Sequence, residues 1–512
     1  MISVTRLNKF WPWVVLAAVL LLAAFLRFAN LRTSPGWFTD EGDFIVLGQH
    51  LLEGRWQIFA IQDAPLLIQR PPLFLYLLTF AFRLLGPDIW TLRALCAACG
   101  LVSVALLYAA AVSSLGPAKA LAAAALLAIF PWAAANSRLG FTYNLSAPLV
   151  LLALLGSLKL SQPSGKTWLV VSCLAAGASL ATDFLGITAV LALSLILLIE
   201  KPRWFLPGLG LMLTLPCLLL APILLSNPAQ AWSDLHFIQA YKASAPPFIQ
   251  AVNLIINSGE WVRRESWLVL GLAGLFMLPA GPLRRNSILF FLSLLLPVLA
   301  FYTPAGYGLH YLIPIFPLAA LGIACFFWRT LPAFAAWAAE IFPWRRLTRL
   351  AAVLASLLAC FPLLWMLLND ISLAVWNKDT FFTGSEFLYL APPADYEAAA
   401  NYVSAHAARS DLVIASPQII WAVQTDRKST WSISLTCDGA DAGLVPEGLV
   451  ERIAYPCQSQ DARYIILDAL AREFNANFLP GLRPLITQVE DEWQQVFSVG
   501  NVEVYANPLR NP

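Results

Sequence analysis

The sequence predicts a polytopic α-helical membrane protein that carries a small soluble α/β domain at its C-terminal end. Three observations lead there. Of 512 residues, 59% are hydrophobic and only 12% charged, with a mean hydropathy of +0.70, whereas soluble domains sit near half apolar and a quarter charged. Apolar runs of 15–23 residues recur from Trp11 to Leu368, the length that a helix rising 1.5 Å per residue needs to cross a hydrocarbon core of about 30 Å. Beyond Leu368, Asp, Glu, Arg, Gln and Asn return at ordinary density. Strand-like alternation is absent from the apolar part, so helices rather than a barrel do the spanning.

Taken in order, the apolar segments are 11–29, 71–86, 91–113, 117–135, 142–160, 167–182, 186–200, 204–225, 267–282, 286–303, 308–328 and 347–368. The first has Arg27 near its end and no convincing small-residue cleavage site, so it reads as a retained span rather than a signal peptide. Lys and Arg concentrate in cytoplasmic loops. With Arg6 and Lys9 inside, a crossing by 71–86 would put Lys119, Lys201, Arg203, Arg284, Arg285, Arg329, Arg345, Arg346 and Arg349 outside; without it, all fall inside. Segment 71–86 opens with Pro71-Pro72 and contains Arg83, so it is read as a short helix on the outer surface. Eleven spans, a cytoplasmic N-terminus and an extracytoplasmic C-terminal domain follow, with a cell-membrane location. The membrane domain is 1–370, with outer loops 30–90 and 226–265, and the soluble domain is 376–512. Within the latter, "DYEAAANYVSAHAAR" reads as a helix, "DLVIAS" and "RYIILD" as buried strands, and "VFSVGNVEVYANP" as a hairpin turning at Gly500-Asn501.

That topology gathers ionisable residues on one face: Asp40, Glu41, Arg70, Arg93, Arg138, Asp183, His236, Lys242, Arg263, Arg264 and His310. Several lie in or beside apolar segments, where charges are costly unless paired or lining a cavity. Each has a plain reading as well. Arg93 and Arg138 can snorkel, Asp183 can pair with a nearby Arg, His310 can cap, and Arg70 can anchor a proline turn at the interface. Asp43, Glu53 and Asp63 read as solvated loop charges, and Trp37, Phe38 and Trp56 suit a membrane-interface belt. The shared side argues for one polar site.

The order apolar span, "FTDEGDFIVLGQHLLEGRW", "IQRPPLFLYLLTFAFRLLG", "TLRALCAACGLVSVALLYAA", "SRLGF", "LHYLIPIFPLAAL" resembles the polyprenyl-phosphate-sugar-dependent membrane glycosyltransferases of family 39, of GT-C fold, which include protein O-mannosyltransferases and lipid A aminoarabinose transferases. The resemblance covers roughly residues 10–330. It implies transfer of a sugar from a lipid phosphate carrier to an acceptor hydroxyl on the extracytoplasmic side, usually with inversion. Asp40 matches the family's first acid and takes the role of general base; Glu41 matches the second and is assigned to pairing with Arg93 or Arg138. Arg70 in "QRPPL" and Lys242 in "HFIQAYKAS" stand where relatives carry basic residues for the donor phosphate, with His236 a weaker candidate. Arg93, Arg138, Asp183 and His310 support the site. Two departures bear on substrate: Tyr143 and Asn144 stand where many relatives carry an acid, and Asp183-Phe184 where they often have Lys-Gly. The partners implied are a polyprenyl-phosphate sugar, a lipid, glycan or protein acceptor, and membrane lipids.

No cofactor is expected. Asp40, Glu41 and His236 could meet a divalent metal, but no ligand pair has tight spacing, so none is required. Cys96 and Cys99 form a CxxC inside an apolar helix, unsuited to redox or zinc, and Cys173, Cys217, Cys325 and Cys360 read as packing residues. Cys437 and Cys457 are the pair that an oxidising compartment would join. No Walker loop or dinucleotide fingerprint appears, and a net charge of +2 gives no case for nucleic acid. Two other classes stay open: a lipid or solute transporter, against which no inverted repeat is visible, and a non-catalytic scaffold with an outer binding domain.

Overall fold

The computed structural model describes every residue except 1–3, 64–69, 243–255, 257, 302–308, 342–344, 379–391, 441–448, 480 and 511–512. The protein is mostly helical, with several apolar helices of membrane length and a small mixed sheet near the C-terminal end. Among the described residues, five helices are long and apolar enough to cross a bilayer: Phe10–Phe28, Ile89–Leu115, Pro202–Ser226, Pro282–Ala300 and His310–Phe334. Shorter apolar helices include Leu73–Leu85, Pro117–Ala128, Tyr143–Leu158, Phe184–Glu200, Trp267–Phe276 and Cys360–Trp376. Leu21, Phe80, Leu84, Leu206, Leu218 and Leu225 are each more than 60% exposed, as expected of side chains that face lipid rather than water.

Two expectations about the spans change. Segment 117–135 is not one helix: Pro117–Ala128 stops at Ile129, and Pro131 opens a six-residue helix, Pro131–Asn136. Proline lacks the N–H that would continue the ladder and restricts the residue before it. Segment 308–328 likewise starts as a 3-10 turn, Leu309–Ile315, before the helix Phe316–Ile341. Segment 71–86 forms a 13-residue helix, Leu73–Leu85, about 20 Å long and short of a full crossing. It buries Phe74, Leu75, Leu78 and Phe82 and exposes an equally apolar face at Tyr76, Leu77, Phe80, Leu84 and Leu85.

The chain clusters into two compact units. The first comprises Met1–Leu31, Cys96–Leu220 and Ala245–Phe381. Arginine forks bind exposed carbonyls inside it. Arg27, buried on the first helix, donates to the carbonyls of Ala128 (2.9 Å) and Leu127 (3.1 Å), which end the Pro117–Ala128 helix. Arg138 returns the contact, donating to the carbonyls of Leu26 (2.7 Å) and Ala29 (2.6 Å) at the end of the first helix. Carbonyls at helix ends have no partner in their own helix, and in hydrocarbon such groups must be satisfied internally. The helices Trp267–Phe276 and Phe316–Ile341 touch through glycines, since a Cβ on Gly274 would lie 1.7 Å from the Gly322 carbonyl oxygen, the close approach that small residues allow between apolar helices.

The second unit comprises Arg32–Leu95, Ala221–Ser244 and Phe382–Pro512. Its sheet has the order β2-β1-β3-β5-β4, with β1 (Leu412–Ile414), β2 (Arg427–Ser429), β3 (Ala462–Leu467), β4 (Gln494–Val499) and β5 (Val502–Ala506). Strands β1, β2 and β3 run parallel, while β5 runs antiparallel to β3 and β4. The helix read from "DYEAAANYVSAHAAR" is Pro393–His406, both buried strands fall where expected, and the hairpin turns at Gly500-Asn501. Trp431, Leu435, Ile465, Leu482 and Tyr505 belong to its core. Cys437 and Cys457 are disulfide-bonded with Cα atoms 5.8 Å apart, within ordinary disulfide reach. Of the cysteines read as packing residues, Cys217 and Cys360 are exposed instead of buried.

Buried Asp468 gathers polar groups at the end of β3. It accepts hydrogen bonds from the Tyr396 hydroxyl (2.7 Å), the Ser416 hydroxyl (2.8 Å), the Gln418 amide (2.9 Å) and the Ala471 backbone N–H (2.8 Å). A buried carboxylate needs such compensation. Tyr396 also stacks on Trp37, and Trp421 packs against the same indole at 4.9 Å. Trp37 and Phe38 are therefore buried against protein rather than set in an interface belt; Trp56 is half-buried against Tyr76.

Close by, the helix Thr39–Leu52 meets the helix Pro417–Ile420, and a Cβ on Gly42 would fall 1.8 Å from the Pro417 carbonyl oxygen. Gly42→Ala must push these two backbones apart and is expected to cost about 1–3 kcal/mol, as overpacking does. Thermal unfolding of the purified variant checks this; an unchanged transition would show that the contact yields freely.

Candidate active site

The helix Thr39–Leu52 begins where Phe38, in extended conformation, turns into Thr39. Its first turn carries Asp40 and Glu41, where the unpaired N–H groups and the helix dipole favour negative charge. Phe38 has no side-chain acceptor, and the cap is made from the other side: Glu41 Oε2 accepts the Phe38 N–H at 2.9 Å. The approach to the helix is fixed by the Trp37 indole N–H, which donates to the Arg32 carbonyl at 3.1 Å.

Glu41 and Arg93 are fully buried and form a two-pronged pair. Arg93 Nε donates to Glu41 Oε1 at 2.7 Å and Nη2 to Oε2 at 2.6 Å. The remaining donors reach the carbonyls of Pro35 (2.7 Å) and Gly36 (2.8 Å). One planar guanidinium thus holds both the glutamate and the strand of chain that leads to Asp40, a geometry suited to arginine and not to lysine. Of the two partners expected for Glu41, Arg93 pairs with it, and Arg93 and Arg138 are both buried rather than snorkelling.

Asp40 is more exposed. Its side chain is 36% exposed, against 10% for Arg70, whose Nη2 lies 3.8 Å from Asp40 Oδ2. Arg70 also sits over the Phe44 ring at 5.4 Å from its centre, one turn along the same helix. Asp43, read from sequence as a solvated charge, is half-buried here. Burial and the nearby Asp40 charge push its carboxyl well above the usual range, while Arg70 pulls the other way. Its spacing of three from Asp40 on a helix was the signal available. Glu53, in contrast, is an exposed partner of Arg55, as a loop charge should be.

The other site candidates divide as follows. His236 is exposed on the helix Pro228–Lys242; Lys242 ends that helix, and its side chain lies outside the described residues. On the same helix Asp234, not singled out from sequence, is buried and pairs with Arg452 at 2.7 Å. In the first unit, Asp183 Oδ1 accepts the Leu185 N–H at 2.8 Å and caps a 3-10 turn. His310 is buried and stacks on Phe141 at 4.8 Å between ring centres, beside Tyr143 and Tyr311. Asn144 donates to the carbonyls of Asn136 and Leu139, both at 3.0 Å. The structure therefore brings together Asp40, Glu41, Arg70 and Arg93, and adds Asp43. Among the described residues, no group of three or more His, Cys, Asp or Glu side chains gathers as it would around a metal ion.

Residues 69–225, which include Arg70 and Arg93, match the family model described as dolichyl-phosphate-mannose-protein mannosyltransferase. None of the curated proteins matches the sequence. Among solved structures, ArnT from Cupriavidus metallidurans bound to undecaprenyl phosphate superimposes with a TM-score of 0.61 and 14% identity, covering 98% of this chain and 99% of that one. The Archaeoglobus fulgidus oligosaccharyltransferase tethered with an acceptor peptide gives 0.53 and 12%, covering 98% of this chain and 74% of that one. At such identities the likeness is one of fold. The family match covers residues 69–225, under half of the chain, and the likeness in fold extends over nearly all of it; together they liken the chain to multi-pass membrane glycosyltransferases of GT-C fold.

Proposed function

We propose that this enzyme transfers a sugar from a polyprenyl-phosphate donor to an acceptor hydroxyl on the extracytoplasmic face, with inversion, and that Asp40 is the general base. The observation that carries the reading is the contrast between adjacent acids. Glu41 has both oxygens engaged by Arg93, whereas Asp40 stays partly exposed beside Arg70. As the acceptor oxygen attacks the anomeric carbon, its proton passes to Asp40, and the bond to the phosphate oxygen breaks with its electron pair. The negative charge left on the lipid phosphate requires fixed cations, for which Arg70 is suited, with Lys242 and His236 on the helix Pro228–Lys242 as further phosphate ligands. Arg93 acts through Glu41, and the family resemblance gives Arg138, Asp183 and His310 supporting roles. ArnT, solved with undecaprenyl phosphate, favours a polyprenyl phosphate as the lipid.

The orientation rests on the basic loops read from sequence. The 13 residues of Leu73–Leu85 favour a helix lying along the surface over a twelfth span. The Cys437–Cys457 bond favours an oxidising side for the C-terminal domain. The acceptor is a hydroxyl of a lipid, glycan or protein.

The test is the anomeric configuration of the product, read by NMR, with and without a metal chelator. Inversion and equal rates in both samples are expected, because Arg93 occupies the carboxylate that a metal would share with Asp40. Retention would sink the single-displacement role of Asp40, and loss of activity on chelation would sink the metal-free part.

A further inference from the structure

Arg452 belongs by sequence to the C-terminal α/β domain, but its side chain is spent on two distant segments. Nη1 donates to Asp234 Oδ1 at 2.7 Å, and Nη2 reaches Oδ2 at 3.4 Å. Nη2 also donates to the Asp63 carbonyl at 2.5 Å, and Nε to the Gln62 carbonyl at 3.4 Å. The backbone repeats the contact: the Gln62 N–H donates to the Arg452 carbonyl (2.9 Å), the Ala454 N–H donates to the Ala60 carbonyl (2.8 Å), and Ile61 bridges Ile453. Gln230, one turn before Asp234, donates to the same Asp63 carbonyl. The Asp234 side chain is 1% exposed and that of Arg452 13%, so the pair is shielded from solvent and poorly screened by salt. The segment bearing Arg452 is itself anchored five residues later, where Cys457 is bonded to Cys437.

We propose that Arg452 is a positioning residue for donor binding. It ties Asp234 to residues 60–63 and so sets the place of the helix Pro228–Lys242, which carries His236 and ends at Lys242. The inference rests on the reading of those two cations as ligands of the donor phosphate. A lysine at 452 could keep the charge pair with Asp234, but an ammonium cannot also fork across two backbone carbonyls. Removing the guanidinium leaves a buried carboxylate without its cation and frees the helix from the 60–63 segment together.

The experiment compares full-length wild type with Arg452→Ala, Arg452→Lys and Asp234→Asn in liposomes, using a polyprenyl-phosphate sugar that the wild type turns over. Donor KM and kcat are measured, along with hydrogen exchange at 57–63 and 228–236. Arg452→Ala and Asp234→Asn are expected to raise donor KM by about tenfold or more, the scale of losses from remote misplacement, while kcat stays near wild type. Both segments are expected to lose exchange protection together, and Arg452→Lys falls between. A purely structural role would reduce the yield of folded enzyme without this KM-against-kcat split. If Arg452→Ala does not fold, Arg452→Lys and Asp234→Asn decide the question. An unchanged KM, or protection lost in one segment alone, overturns the inference while leaving the glycosyltransferase reading intact. Absence of turnover by the wild type on any donor overturns that reading, and this inference with it.

Discussion

Asp40→Asn is expected to lower sugar transfer by about 10²–10⁴-fold, the contribution of a well-placed general base, with little change in donor KM. The amide keeps the shape of the carboxylate at the first turn of its helix but has no lone pair basic enough to take the acceptor proton. The Asp40 side chain remains 36% exposed, and the fold is expected to hold. Matched thermal unfolding of the two proteins separates lost chemistry from lost structure. A variant that folds and transfers at the wild-type rate would remove Asp40 from the reaction.

The second large effect is on stability. Arg93→Ala removes four hydrogen bonds at once, two to Glu41 and one each to the carbonyls of Pro35 and Gly36. It leaves a fully buried carboxylate without this cation. Breaking such a pair from one side costs about 3–5 kcal/mol, because the remaining charge keeps its desolvation penalty and loses its compensation. Unfolding of the variant in detergent should therefore move to clearly lower temperature or denaturant. Removing the Glu41 charge as well is expected to restore part of the loss, since the orphaned carboxylate is then gone. A change no larger than the roughly 0–1 kcal/mol typical of exposed pairs would mean that solvent reaches this pair after all.

What was legible in the sequence follows from range. The helix 393–406, the strands 412–414 and 462–467 and the hairpin at Gly500 are encoded by local period and turn chemistry, and each formed where expected. The pairing of Glu41 with Arg93 or Arg138 came from the family resemblance, which left open which of the two it is. Contacts between distant residues left no local trace. Asp234 and Arg452 are separated by 218 positions, and Trp37 is buried by Tyr396 and Trp421, so neither pattern was available from neighbours in the chain. Asp43 was misread because a charge beside Asp40 and Glu41 looks like a solvated loop until the helix puts it on the face of Arg70. The break at Pro131 was readable in principle, and an apolar count across 117–135 hid it.

The most direct test is turnover by the purified protein in liposomes supplied with a panel of labelled polyprenyl-phosphate sugars. Release of the polyprenyl phosphate with label passing to an acceptor, or to water, is the expected result. No turnover of any donor by protein that is folded, by the same thermal criterion, would contradict the account.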